Sequence, residues 1–145
     1  MFFVKDFTRN SWVVKVWKEG RHFDLWHVNH FLAGILLGCL VIFLKLEFWI
    51  GFVASVVLML AWEVFELVTE IEETRFNMVF DVVFSVFSYF LTLFLAKNYL
   101  SSLSLLVLFY VSLIMFAILE LWGYWAYKNR GLNRIKNKRE TVSRE

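Results

Sequence analysis

Four apolar runs, two of them too short for the job they suggest, constrain this chain more than anything else in it. Residues 25–44 carry no Asp, Glu, Lys or Arg over 20 positions, and residues 98–119 carry none over 22. At 1.5 Å per helical residue, each run matches a hydrocarbon core of about 30 Å. Residues 48–62 and 82–96 are charge-free for only 15 positions each, or about 22 Å of helix. A crossing helix at either place must therefore take in polar groups: Glu63 and Glu66 beyond the second run, Asp81 before the third. A carboxylate in hydrocarbon is costly unless it is paired, neutralised or hydrated, so an acid at such a position points to function by default.

Composition supports the membrane reading. The hydrophobic share is 60% with no proline in 145 residues, against about 45–50% apolar in soluble domains. The expected architecture is an all-α integral membrane protein of the cell membrane, a four-transmembrane-helix bundle with spans over 25–44, 48–69, 77–96 and 100–127. Ahead of it, residues 1–20 mix Phe2, Phe3, Phe7, Trp12 and Trp17 with Lys5, Arg9, Lys15 and Lys18, the pattern of an interfacial amphipathic segment. Residues 128–145 form a basic tail. The lone Cys39 allows no disulfide within the chain and reads as packing.

Lysine and arginine in short flanks set orientation. Five precede the first span (Lys5, Arg9, Lys15, Lys18 and Arg21), one lies between the second and third (Arg75), and seven follow the fourth. The remaining two connections hold only Lys45 and Lys97. Four spans then put 13 basic residues on one side and 2 on the other, which predicts both termini in the cytoplasm. The run from Lys128 to Arg139 follows a span directly and contains no acid. That placement suits anionic inner-leaflet lipid and not nucleic acid. The Trp122, Tyr124, Trp125 and Tyr127 cluster reads as the cytoplasmic aromatic belt.

This topology gathers the polar residues at one end. His27 and His30 open the first span, Glu63, Glu66 and Glu70 close the second, Arg75 lies in the connection, and Asn77 and Asp81 open the third. Glu120 is on the same side, placed either to snorkel or to join them. Helical spacing aligns His27, His30, Gly34 and Gly38 on one face, Glu63, Glu66 and Glu70 on another, and Asn77, Asp81, Ser85 and Ser88 on a third. Gly34 to Gly38 is a GxxxG spacing, which permits close helix approach, and Ser85 and Ser88 are small enough to accept it. The three stripes are expected to face one another.

The run Glu66-x-x-Thr69, Arg75, Asp81-x-x-x-Ser85-x-x-Ser88 resembles the VanZ-like family of small integral membrane proteins. Their pattern is a second-helix Glu-x-x-Gln, an Arg six residues on, an Asp six further, and then Asn and Gly four and seven after the Asp. His30-Phe31 with Ala33, Gly34 and Gly38 resembles the family's earlier His-Phe and small residues. The spacings agree over roughly residues 26–96. Three residue types depart: Thr69 for Gln, Ser85 for Asn and Ser88 for Gly, as in a divergent member. The resemblance implies a multi-pass protein from a family linked in some members to resistance to lipophilic glycopeptide antibiotics.

Three function classes follow. In the first, a binding site made of His30, Glu63, Glu66, Thr69, Arg75, Asp81 and Ser85 holds a lipid-like or amphiphilic molecule, or a membrane protein partner. In the second, a membrane-embedded enzyme uses the same groups, with His27, His30, Glu63, Glu66 and Asp81 as candidate ligands of a divalent metal. In the third, the network is interhelical glue in a structural interaction subunit. The metal spacing lacks the His-Glu-x-x-His of zinc hydrolases, and no catalytic motif with a Ser-His-Asp set or a Gly-rich phosphate loop is present. Hydrogen bonding near the headgroups is the plainer role for the histidines.

Overall fold

A computed structural model describes residues 25–68 and 75–142, except for the side chains of Glu66, Leu67, Arg75, Phe76, Tyr127 and those of 129–142. The expected interfacial segment over 1–20, Thr69 and Glu70 lie outside the described residues. The fold is all-helical: α1 (Trp26–Phe43), α2 (Phe48–Val68), α3 (Arg75–Asn98) and α4 (Ser102–Val142). All four contain a stretch long and apolar enough to cross a membrane.

Two of the connections are short because local chemistry closes or caps a helix there. After α1, Lys45 takes a left-handed backbone (φ 52°). Its N–H bonds the Ile42 carbonyl at 3.1 Å, and the Leu46 N–H bonds the Val41 carbonyl at 3.0 Å. This is the paired closure of a Schellman motif, usually built on glycine. At the other tight turn Ser101 caps α4: its Oγ accepts from the Ser104 N–H at 3.1 Å, satisfying one of the orphan donors of a helix start. Helix α4 continues through the basic residues to Val142, beyond the expected end of the fourth span at 127. Residues 128–142 contain no proline and six lysines and arginines, good helix formers, so the lone Gly131 does not end the helix where its hydropathy falls.

Helix α1 is the centre, touching α2, α3 and α4, and its tightest partner is α3. The seam is the small-residue stripe. A Cβ on Gly34 would collide with the Ser88 hydroxyl and the Ser85 backbone carbonyl, and one on Gly38 would lie 2.9 Å from the Thr92 Cβ. Only hydrogen at these two positions lets the backbones approach so closely. The buried hydroxyls answer to local carbonyls: Thr92 Oγ1 donates to Ser88 O at 2.8 Å, and Ser88 Oγ donates to Ser85 O at 3.1 Å. Away from this seam Val41, Met59 and Tyr89 form an apolar cluster with Leu37, Phe52, Val86 and Leu93 against it.

The distribution of polarity is inverted relative to a water-soluble protein. Among the described residues, 11 polar side chains are buried against 8 apolar ones, while Trp49, Val68, Leu103 and Leu121 are each more than 60% exposed. In water, exposing such side chains forgoes about 1.5–3 kcal/mol apiece. In an apolar solvent nothing is lost.

Candidate functional site

The polar stripes converge at the end of the bundle formed by the start of α1, the end of α2 and the start of α3. Asp81, fully buried, is the hub. Its Oδ2 accepts from Asn77 Nδ2, one helical turn earlier, at 3.3 Å. Its Oδ1 lies 3.6 Å from His27 Nδ1 and 3.8 Å from His30 Nε2. The other nitrogen of His30, Nδ1, lies 3.8 Å from Glu63 Oε1 on α2. His30 thus stands between two carboxylates from two different helices, and all three side chains are at least nine-tenths buried.

His30, His27 and Asp81 are each held from behind. Ser85 Oγ donates to the His30 backbone carbonyl at 2.8 Å, a carbonyl in the first turns of α1 that the close approach at Gly34 brings within reach. His27 presents its ring edgewise to Phe84 at 5.3 Å and lies 6.1 Å from Phe80, so aromatic packing from α3 limits its rotation. The Asn77 bond takes one Asp81 oxygen and leaves the other aimed at the two imidazoles.

Of the residues expected to form the site, His27, His30, Glu63, Asp81 and Ser85 come together, and Ser88 sits one turn further along the same seam. Glu66 and Arg75 are helical in backbone, and Arg75 opens α3 instead of lying in the connection. Their side chains, like the whole of Thr69, fall outside the described residues.

A second polar contact was missed in the sequence. Asn29, between the two histidines, donates from Nδ2 to Glu120 Oε1 on α4 at 3.0 Å, so Glu120 joins the polar end and does not simply snorkel. Two residues from His27, Asn29 points about 200° around the helix from it, toward α4 instead of α3. A lone amide in a 20-residue charge-free run was the available signal. Because a carboxylate only accepts, the amide must turn its N–H₂ toward Glu120. Asn29 Oδ1 is then buried with no hydrogen-bond partner among the described residues.

That amide lies on the wall of a partly open cavity of about 230 Å³. Its polar lining is Asn29, His30, Ser85 and Glu120; its apolar lining includes Leu36, Leu37, Leu58, Met59, Trp62 and Phe116. Glu63 and Asp81 stand behind His30 and do not line it. The arrangement offers a buried His-carboxylate cluster backing onto a small, mainly apolar cavity with acceptors at one end.

Compared with family models, curated proteins and solved structures, the chain finds no match. The VanZ-like resemblance therefore rests on the residues that carry it.

Proposed function

We propose that the chain is a multi-pass protein of the cell membrane, with both termini cytoplasmic, that binds the polar head and first chain carbons of an amphiphile in the cavity between α1, α2 and α4. The observation that carries this reading is the buried, unsatisfied Asn29 Oδ1 beside the Glu120 carboxylate, at the polar end of an otherwise apolar cavity. A buried acceptor left unpaired costs about 1–3 kcal/mol, and a ligand that donates to it recovers that loss. A volume of about 230 Å³ is below the roughly 300–1,000 Å³ of sites that enclose a drug-sized molecule. It suits part of an amphiphile, with the remaining chain among lipid tails. Two acceptors, one of them a carboxylate, select a head rich in N–H donors, an ammonium above all. The VanZ-like resemblance is compatible with such a role, and the basic stretch following the fourth span would hold this end against anionic lipid.

The test uses full-length protein in detergent, with native mass spectrometry of added long-chain alkylamine, alkanol and alkanoate of equal chain length. The amine should give a single tight adduct. Glu120→Gln should weaken it roughly tenfold or more, the loss of a charge-assisted hydrogen bond being about 1.5–3 kcal/mol. Equal retention of all three head groups, unchanged by Glu120→Gln and Asn29→Leu, would leave only nonspecific partitioning.

A further inference from the structure

We infer that His30, Glu63 and Asp81 form a binding site for one divalent first-row metal ion, with His27 and Asn77 as positioning residues. The proposal does not rest on amphiphile binding: of its three ligands only His30 also lines the cavity, and neither Asn29 nor Glu120 belongs to the group.

Geometry is the first argument. One ligand atom from each of His30, Glu63 and Asp81 can be chosen so that all three lie within 4.8 Å of one another. The His30 contacts, both 3.8 Å, are too long for hydrogen bonds, which run about 2.7–3.2 Å. They are near the spacing of two atoms bound to one ion: ligands about 2.1 Å from a tetrahedral centre stand about 3.4 Å apart. The three side chains come from three helices, so coordination would tie α1, α2 and α3 together at one point.

Charge is the second. Two carboxylates and a neutral imidazole around a divalent cation make a neutral assembly, the condition under which ionised acids are least costly in a low-dielectric interior. The third argument is the support around the ligands. Asn77 donates to Asp81 Oδ2 at 3.3 Å, so Oδ1 is the oxygen presented to the centre. His27 Nδ1 lies 3.6 Å from that same Oδ1, an imidazole beside the carboxylate at more than hydrogen-bond length. Outer contacts of this kind orient metal ligands and tune their basicity. One nitrogen and two carboxylates suit Mn²⁺, Fe²⁺ or Zn²⁺ better than Ca²⁺, which takes six to eight oxygens, or Cu⁺, which prefers sulfur.

Full-length protein, stripped with chelator in detergent and shown to remain helical and monodisperse, is titrated with Mn²⁺ alone and followed by electron paramagnetic resonance. One Mn²⁺ should bind per chain with a dissociation constant well below about 1 mM. Its pulsed spectrum should carry a ¹⁴N coupling from a single imidazole, and Zn²⁺ should displace it, as the order of divalent affinities requires. Glu63→Gln and Asp81→Asn should each weaken binding at least tenfold, and Asn77→Leu by about 10–100-fold, the range for outer contacts. His30→Gln should remove the ¹⁴N signal. Glu47→Gln, an exposed acid at the far end of α2, should change nothing. The nitrogen coupling is read on the unsubstituted chain, so it decides the matter even where a variant fails to fold. Absence of Mn²⁺ or Zn²⁺ binding by the folded protein, or binding without a nitrogen ligand, overturns the site.

Discussion

Of the two seam glycines, Gly34 brings α1 and α3 nearer to claiming the same volume. Its missing side chain would meet the Ser88 hydroxyl, which can rotate, and the Ser85 backbone carbonyl, which cannot. At Gly38 a Cβ would lie 2.9 Å from the Thr92 Cβ and 3.2 Å from the Tyr89 backbone carbonyl, a milder overlap with backbone than at Gly34. Gly34→Ala should therefore cost about 1–3 kcal/mol, the range for overpacking a tight contact, and more than Gly38→Ala, in unfolding titrations with a denaturing detergent. The consequence at the site is specific. Forcing α1 from α3 loosens the 2.8 Å bond from Ser85 Oγ to the His30 carbonyl and draws His30 away from Asp81, so metal affinity should fall together with stability. Comparable stability of the two alanine variants would mean that the seam relaxes more easily than a fixed carbonyl allows. This stripe was legible because small and polar residues recur at helical spacing in runs that are otherwise Leu, Val and Phe. The Asn29 pair with Glu120 was not, because each is a polar singleton on its own face. Their meeting depends on how α4 is rotated about α1, which no periodicity within either helix encodes.

At the level of elements, spans were easier to place than ends. The four apolar runs led directly to α1 through α4, and the two short runs correctly required Glu63 and Asp81 inside helices. The stop at Lys45 gave no composition signal, since the left-handed position that closes α1 is normally glycine or asparagine. A non-glycine residue there costs about 1–2 kcal/mol. Glycine carries an entropy penalty of about 0.5–1 kcal/mol, so Lys45→Gly should stabilise the bundle by up to about 1 kcal/mol in the same titration. An unchanged or lowered midpoint would show that the lysine side chain compensates. Ser101→Ala should act oppositely, costing about 1 kcal/mol as the N-cap of α4 is lost. The end of α4 was illegible for a different reason. Hydropathy reports where a helix leaves an apolar solvent and helix propensity reports where it stops, and here the two separate. The 41 residues of α4 span about 60 Å, twice a hydrocarbon core of about 30 Å.

For the molecule as a whole, the buried polar network and exposed apolar surface fit the proposed apolar solvent, and on that proposal the direction of insertion decides which compartment the site faces. His27, Glu63, Asn77 and Asp81 lie at the end shared by the start of α1, the end of α2 and the start of α3, opposite the turns at 44–47 and 99–101. In the proposed topology four crossings return the chain to its starting side. The flanks on that side hold 13 of the 15 lysines and arginines, an asymmetry that retains short basic loops in the cytoplasm. An export-dependent phosphatase reporter fused after residue 145 should be inactive, and the same reporter inserted at 99–101 should be active, each at normal protein levels. The reverse pattern would place the His-carboxylate cluster on the outer face, where the metal and the amphiphile would come from outside the cell. Activity at both positions would indicate mixed insertion, which the 13-to-2 division argues against. Because Arg75 is the only lysine or arginine between the second and third spans, orientation rests on the two terminal flanks. Replacing Lys5, Arg9, Lys15, Lys18 and Arg21 with Gln should therefore leave the chain inserted as before on the strength of the seven basic residues after α4's apolar stretch. Removing both sets should turn the reporter at 145 on in a measurable fraction of molecules.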